Sequence, residues 1–304
     1  MGETYTAERY GEACALLPEE LRSAAMGLDS PGQSRAEELR LRVGRPLAVT
    51  LPEGERSLSG PLVDNRDLEL VLDRATAYSP YAAGETIRQG FVTAAGGFRI
   101  GLCGTALPER GENQGLRDLT SIAIRIPRAC PGVAAHLLGD LLMERGVLST
   151  LILSPPGGGK TTLLRDLVRL LSTGSSLAPP LRVALVDERG ELAAVCRGRP
   201  QLEVGPCTDV LDGCPKALGV PMLLRAMNPQ VIALDEVALP EDAEAVLSAA
   251  GCGAAILATA HAASVEDLRQ RPVMRGLLDS GVFHRAVVIE GRGPQRRSRV
   301  EALP

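Results

Sequence analysis

The chain has 304 residues, a formal net charge of -4 and a pI near 5.6, and only 2% of its residues are aromatic. This length favours about two domains of about 150 residues each. The acidic balance argues against a general nucleic-acid binder, because such proteins carry a basic field and aromatic stacking platforms.

Cysteine usage and hydropathy give expectations about the compartment. The seven cysteines contain no C-x-x-C pair, and the acidic N-terminus does not resemble a signal peptide. These features predict a cytosolic protein whose thiols are reduced and mostly buried. The most apolar stretch, residues 249–263, is too short and too polar to span a bilayer, so no direct membrane insertion is expected.

The first half of the chain predicts a small α+β domain over residues 1–132. Residues 1–30 have a helical pattern with a helix start at Pro18, and a further helix is predicted over residues 65–76. Alternating apolar and charged residues predict several β-strands that are separated by turns and loops. The strand segments are 37–43, a partner after the turn at 44–46, a hairpin over 87–104 and a strand over 121–128, with a polar loop at 107–119.

The second half predicts an α/β domain over residues 133–304. A helix is expected over residues 133–145, and apolar runs then alternate with helical patterns. Strands alternating with helices imply a mostly parallel sheet, whose binding site lies beyond the carboxyl ends of the strands. The predicted strands are 151–153, 183–186, 231–234, 255–258 and 286–289.

A glycine-rich turn between an apolar strand and an amphipathic helix predicts a phosphate-binding P-loop. Glycines allow successive backbone N–H groups to converge on one anion at the start of a helix. Lys160 is expected to reach the β- and γ-phosphates, and the Thr161 hydroxyl to bind Mg²⁺. The predicted loop residues are Ser154, Pro155, Pro156, Gly157, Gly158, Gly159, Lys160, Thr161 and Thr162. Ser154 occupies the position where the motif has glycine, so an altered entry to the loop is expected if that position requires positive φ.

Acidic residues follow two predicted strands. Asp235 is expected to hold the Mg²⁺ shell, and Glu236 to orient or polarise the attacking water. After the strand at 183–186 come Asp187, Glu188 and Glu191, of which Glu188 is the main catalytic candidate.

A histidine and several arginines complete the predicted site. His261 follows the strand at 255–258 and is a candidate for sensing the γ-phosphate. Phosphoryl transfer commonly uses an arginine to neutralise developing charge, and the sequence does not choose among the candidates. These are Arg189, Arg225 and, from the first domain, Arg99 and Arg125.

Taken together, these motifs resemble the type II and IV secretion-ATPase superfamily, which has a Walker A loop, an acidic box, a Walker B strand and a histidine box. More narrowly, the chain is similar to the stage III sporulation protein AA family over about residues 35–290. Segment 208–217 is the most specific part of that resemblance. The others are 38–46, 88–91, 96–101 and 259–261.

The resemblance implies a RecA-like P-loop core preceded by the smaller α+β domain. It also implies a cytoplasmic Mg²⁺-ATPase, with ATP as its nucleotide, that forms a homo-oligomer, expected to be a hexamer. Its implied partner is an integral membrane protein of a sporulation channel complex between mother cell and forespore. A basic residue of the first domain, Arg99 or Arg125, is implied to approach the nucleotide.

Two other interpretations stay open. One is a nucleotide-gated scaffold without turnover, for which Ser154 leaves room. The other is a nucleic-acid-binding P-loop protein that would use Arg40, Arg42 and Arg45 with the basic tail. That tail contains Arg292, Arg296, Arg297 and Arg299.

Overall fold

A computed structural model describes residues 2–79, 84–109, 112–127, 130–144, 146–291 and 296–304. Arg128, Arg145 and Arg292, which belong to predicted segments, lie outside these residues. The chain divides into two compact units, the first formed by Met1–Ala129 with Ala194–Gln201 and the second by Cys130–Ala193 with Leu202–Pro304. The division expected from sequence lies three residues later and places 194–201 in the second domain.

The first unit contains five helices and a six-stranded sheet among its described residues. Every neighbouring strand pair is antiparallel, in the order β3-β2-β1-β6-β5-β4. The helices are α1 (Gly2–Cys14), α2 (Glu19–Met26), α3 (Ser30–Arg35), α4 (Asn65–Ala75) and α5 (Gly84–Arg88). The strands are β1 (Glu38–Arg42), β2 (Pro46–Leu51), β3 (Gly54–Leu62), β4 (Phe91–Ala94), β5 (Phe98–Glu109) and β6 (Glu112–Arg125).

One face of this sheet forms the core of the first unit. Leu39 and Leu41 of β1 and Ile122 and Ile124 of β6 are buried against the helices. The residues between them in β1 are charged and only partly buried, as the alternation in the sequence predicts. Helix α4 begins at Asp64, whose carboxylate accepts the Asp67 N–H at 2.9 Å in a capping box.

Two local predictions in this unit were wrong. Residues 107–109 and 112–119, expected to be part of a loop, extend β5 and β6, in which Ala106 pairs with Leu116. Both faces of this ribbon are mostly exposed. Its sequence therefore lacks the alternation of apolar and polar residues that indicates a half-buried strand. The first predicted hairpin strand begins later than expected, because Ile87 and Arg88 end α5.

The second unit contains a seven-stranded sheet in the order β13-β12-β7-β11-β10-β8-β9. Neighbouring strands are parallel except for β13, which pairs antiparallel with β12 at the edge. The strands are β7 (Thr150–Ser154), β8 (Val183–Asp187), β9 (Thr208–Asp212), β10 (Val231–Leu234), β11 (Ala255–His261), β12 (Arg285–Glu290) and β13 (Arg297–Ala302). The helices are α6 (Leu138–Leu141), α7 (Lys160–Thr173), α8 (Lys216–Met227), α9 (Pro240–Gly251), α10 (Val265–Arg269) and α11 (Pro272–Asp279).

Central strands of this sheet are covered on both faces. All residues of β7, β8 and β10 are buried, as expected for a parallel sheet between helical layers. Polar side chains are therefore concentrated at the ends of the strands. The sequence did not reveal β9 or β13, because both are short edge strands of mixed polarity.

The helix expected over residues 133–145 was also wrong. A 3₁₀ turn at Ala135–Leu137 leads into α6, and Leu142 then forms a bridge with Val147. The Asp166 carboxylate on α7 accepts the N–H groups of Gly132 and Ala134 at 3.1 and 2.9 Å. These two hydrogen bonds hold an irregular turn that still buries Leu137, Leu138 and Leu141.

The cysteines depart from expectation as well. All seven are free, but only Cys14 is buried, and burial raises the pKa of its thiol to about 12. Four are exposed, namely Cys103, Cys130, Cys207 and Cys252. Each helix among the described residues is too short or too polar to cross a membrane.

Candidate nucleotide-binding site

The predicted P-loop connects β7 to α7 in the second unit. Its positive φ angles occur at glycines, 74° at Gly157 and 96° at Gly159, where no Cβ opposes that conformation. Ser154 instead ends β7 as a fully buried strand residue, and its hydroxyl donates to the Pro155 carbonyl at 2.9 Å. The serine therefore does not occupy a backbone position that requires glycine.

Gly158 is the position where the loop packs most tightly on itself. A Cβ at this residue would lie 2.5 Å from the Ser154 Oγ and 3.0 Å from the Pro155 carbonyl oxygen. Only glycine fits without a shift of the neighbouring atoms. The loop is thereby held in a compact turn ahead of α7.

Lys160 is the first residue of α7 and is buried, 8% exposed. Its ammonium group lies 3.1 Å from the Nε2 atom of His261, at the end of β11. Because an ammonium group can only donate, the imidazole accepts at Nε2 and carries its proton on Nδ1. The Nδ1 atom is buried and has no hydrogen-bond partner in the described part of the chain.

Asp235 links the P-loop to two further strands. It directly follows β10, and its carboxylate accepts the Thr161 hydroxyl at 2.9 Å and the Thr259 hydroxyl. Thr259, fully buried in β11, also accepts the Glu236 N–H at 2.8 Å. Both oxygens of the aspartate are thus oriented by hydroxyl groups on neighbouring elements.

Glu236 has a left-handed backbone with φ of 55°, which is uncommon for a non-glycine residue and costs conformational energy. One carboxylate oxygen receives a hydrogen bond from Arg189 at 2.7 Å. The other lies 3.5 Å from the His261 Nε2 atom. Glu236, the residue predicted to orient the attacking water, therefore contacts both the histidine and one of the candidate arginines.

Asp187, the last residue of β8, and Glu188, which follows it, have different surroundings. Asp187 is 1% exposed and accepts the N–H groups of Glu191, Leu192 and Ala193 at 2.7–3.2 Å, so it shapes the loop. Burial and the facing Asp187 carboxylate raise the pKa of Asp212, at the end of β9, to about 6. Glu188 pairs with the ammonium group of Lys216, at the start of α8.

The other three predicted arginines lie elsewhere. Arg225 is in the last turn of α8, at the sheet edge where β10 begins, opposite the strand ends described above. In the first unit, Arg99 lies over the Phe91 ring at 3.9 Å, and Arg125 pairs with Glu38 at 3.1 Å. Arg99 and Arg125 share one open sheet face, where they help to line a surface cavity of about 320 Å³.

A second cavity adjoins the P-loop and has a volume of about 310 Å³. It reaches Gly159 and Thr162 on one side and apolar Val133 and Ile289 on the other. A hydrogen bond of 2.8 Å between His136 and Ser298 closes one side of its lining. The cavity is concave and partly apolar, beside a site with convergent polar groups.

The sequence matches the family model "Sporulation stage III, protein AA" over residues 8–300. The chain belongs to this family. It is 39% identical over 290 residues to Stage III sporulation protein AA of Bacillus subtilis (strain 168), which covers 95% of this chain and 94% of that protein. The family predicted from the motifs is therefore confirmed.

Solved structures show the same fold. The X-ray structure of the Legionella pneumophila ATPase DotB aligns with a TM-score of 0.57 and 18% identity, over 88% of this chain and 76% of that chain. The crystal structure of the pilus retraction motor PilT with bound ADP aligns with a TM-score of 0.56 and 17% identity, over 88% and 80%. This member of a sporulation family thus has the predicted secretion-ATPase fold, a RecA-like α/β core with a smaller α+β N-terminal domain.

Sequence reasoning missed the roles of two residues in this unit. Thr259 was seen only as part of the histidine segment, yet it bonds both Asp235 and the Glu236 backbone. Lys216 was seen only as part of segment 208–217. Neither side chain follows a phosphate-binding spacing, so only the tertiary structure brings them to the carboxylates.

Proposed function

We propose that this protein is a Mg²⁺-dependent ATPase that acts as a homo-oligomer, with six copies expected. It would power or assemble a membrane-spanning transport complex between mother cell and forespore during sporulation. The observation that carries the proposal is the 2.9 Å hydrogen bond from Thr161 to Asp235, beside the buried Lys160. It joins the P-loop hydroxyl to the strand-end carboxylate in the combination that phosphoryl-transfer sites use.

The donor set fits Mg²⁺. A threonine hydroxyl and a carboxylate are hard oxygen ligands, and Mg²⁺ sites in such enzymes use few protein ligands together with substrate phosphates. Thr161 and Asp235 would hold the ion. Bound there, Mg²⁺ would neutralise charge on the β- and γ-phosphate oxygens.

The chain's own groups have distinct proposed roles. The P-loop residues from Ser154 to Thr162 bind the phosphates through their N–H groups and through Lys160. Glu236 orients the attacking water and accepts its proton. His261 lies between Lys160 and Glu236, so it responds to the charge on both. Arg189 donates a hydrogen bond to Glu236 and so orients its carboxylate, and Glu188 provides a further carboxylate after the neighbouring strand β8.

The cavity beside Gly159 and Thr162 offers a place for the nucleoside. Its position next to the start of α7 continues from the phosphate loop, and Val133 and Ile289 provide apolar surface for a base. The choice of ATP as the nucleotide is inferred from the resemblance to secretion ATPases.

Oligomerisation and partners complete the proposal. One of Arg99, Arg125 and Arg225 would act on the nucleotide of a neighbouring copy, as arginines supplied in trans do in other phosphoryl-transfer enzymes. The protein would be cytoplasmic and reach the membrane through an integral membrane protein of the channel complex.

A nucleic-acid role is less well supported. Arg40 pairs with Glu38 at 2.8 Å and Arg42 pairs with Glu55 at 2.6 Å, so carboxylates already offset these cations. A phosphate backbone would have to compete with those pairs.

The test is steady-state phosphate release from ATP and Mg²⁺ across a protein concentration series. The variants are Lys160→Ala and Glu236→Gln, with Glu244→Gln on the exposed face of α9 as the matched control. The rate per subunit should rise with concentration. Lys160→Ala should lose turnover because the phosphates lose their lysine contact, and Glu236→Gln should lose about 100-fold or more, as removal of a general base does. Glu244→Gln should behave as wild type.

Nucleotide binding separates the alternatives. Binding that is lost in Lys160→Ala and kept in Glu236→Gln, together with turnover in the wild type, supports the proposal. Binding without turnover at any protein concentration, with and without the membrane partner, would contradict it and favour the scaffold.

A further inference from the structure

Lysine is almost absent from this chain, which makes its placement informative. Lysine and arginine together number 33, and only Lys160 and Lys216 are lysines. Lys160 belongs to the P-loop. All the remaining residues of that total are arginines, so the second lysine is an exception to the general choice of cation in this sequence.

Lys216 is buried among carboxylates. Its side chain is 8% exposed, its ammonium group donates to Glu188, and it lies 3.9 Å from the Asp242 carboxylate. It is also the first residue of α8, where the helix dipole disfavours a cation. Burial and dipole both oppose the charge, so the two carboxylates are needed to hold it there.

Asp242 connects this pair to the segment after Glu236. Its carboxylate accepts the N–H groups of Ala238 and Leu239, both at 3.1 Å. Those residues join Glu236 to α9. A continuous chain of contacts therefore runs from Glu188 through Lys216 and Asp242 to the loop that follows β10.

We propose that Lys216 is a positioning residue that holds Glu188 and, through Asp242, the loop carrying Glu236 in one geometry. The proposal rests on the ATPase function proposed above. It also gives segment 208–217 a role, because β9 and the turn after it place the Lys216 ammonium group beside Glu188 and Asp242. A compact ammonium group serves both carboxylates, whereas the planar guanidinium fork of arginine is larger and directional.

The first experiment compares the kinetics of Lys216→Met and Lys216→Arg with wild type. A misplaced catalytic group costs about 100-fold in rate, so Lys216→Met should lower kcat by about that factor and leave KM for ATP within about twofold. Lys216→Arg should recover part of kcat because the charge remains. Arg182→Met is the control, because it removes a cation that lies before the start of β8, at the opposite end of that strand from Glu188.

A merely structural role predicts a different result. The fraction of folded protein would fall, but the folded protein would keep the wild-type kcat, and Lys216→Arg would give no selective recovery. Unchanged kcat in folded Lys216→Met would overturn the proposal.

The second experiment does not depend on turnover. Labelling with ¹⁵N-lysine gives two side-chain ammonium signals by NMR, and Lys160→Arg identifies which belongs to Lys216. Glu188→Gln should shift the Lys216 signal, whereas Glu53→Gln at an exposed position of the first unit should not. A Lys216 signal that ignores Glu188→Gln would overturn the proposal.

The two readouts separate the two proposals. If wild type hydrolyses no ATP, the proposed function fails, and the NMR result still decides whether Lys216 holds Glu188. If wild type is active and the signal responds but kcat of Lys216→Met is normal, only the positioning role fails.

Discussion

The two sheets of this protein place their charged residues differently. In the antiparallel sheet of the first unit, Arg40 and Arg125 project from an open face and pair with Glu38, and their side chains are 39% and 63% exposed. In the second unit, Asp187 ends β8 of the parallel sheet and Lys160 begins α7 after the loop that follows β7, and both are almost fully buried. Charged groups on the open face of the first unit are solvated by water. Buried charged groups in the second unit depend on hydrogen bonds and ion pairs with other protein groups.

This difference explains where chemistry is expected. A sheet covered on both faces has only its ends free for polar groups, so carboxylates, a lysine and a histidine converge at one edge. An open face spreads its charges along the strands. Substitutions in the second unit should therefore cost more than comparable substitutions in the first.

Among the substitutions that test this contrast between the two sheets, the largest effect is expected for Gly158→Ala. The added Cβ would meet the Ser154 hydroxyl and the Pro155 carbonyl, so the loop must open, and overpacking of this kind costs roughly 1–3 kcal/mol. Affinity for ATP should fall at least tenfold, about 1.4 kcal/mol, in a fluorescent-nucleotide titration. Gly139→Ala in α6, where a Cβ meets no atom within 4 Å, is the matched control.

A second substitution isolates the role of Ser154 in that effect. Ser154→Gly combined with Gly158→Ala should recover part of the binding, because the hydroxyl is the nearest obstacle. Wild-type ATP affinity in the single Gly158→Ala variant would show that the loop does not depend on this packing.

A smaller, pH-dependent effect is expected for Asp212→Asn. Because the folded-state pKa is raised to about 6, above the ordinary 3.8, the folded protein holds this proton more tightly than the unfolded chain. The associated stability is present at low pH and is lost as pH rises through 6. The variant should gain in Tm relative to wild type between pH 4 and 6 and keep a constant difference above that range.

Thermal unfolding from pH 4 to 8 measures this difference. Asp212→Ala should show the same pH dependence with a different absolute Tm, because it also removes the carboxylate. A difference between wild type and Asp212→Asn that does not vary with pH would contradict the raised pKa of Asp212.

The smallest effect on stability is expected for Arg125→Ala. Exposed ion pairs contribute about 0–1 kcal/mol, so chemical denaturation should show a loss below about 1 kcal/mol. Turnover should nevertheless fall if Arg125 acts on the nucleotide of a neighbouring copy. Arg42→Ala, which breaks the exposed pair with Glu55, is the control, and a loss of more than about 2 kcal/mol in Arg125→Ala would contradict the contrast between the two sheets.

Local sequence patterns determined much of this protein. The alternation in β1 and the apolar runs of β7, β8 and β10 predict these strands, because the order of apolar and polar residues in a strand reflects which of its faces are buried. The glycines before Lys160 predict the loop, since positive φ and close backbone approach require them at Gly157, Gly158 and Gly159. Family membership follows from the same motifs.

Only the tertiary structure decided which groups meet. Lys160 lies 101 residues from His261, and Thr161 lies 74 residues from Asp235, so no local pattern encodes their contacts. The turn at residues 132–137 depends on hydrogen bonds to Asp166 of α7. Lys216 lies beside Glu188 because β9 pairs with β8 at the edge of the sheet. Sequence periodicity reports which face of an element is buried, whereas the partner of each polar group depends on how distant elements pack.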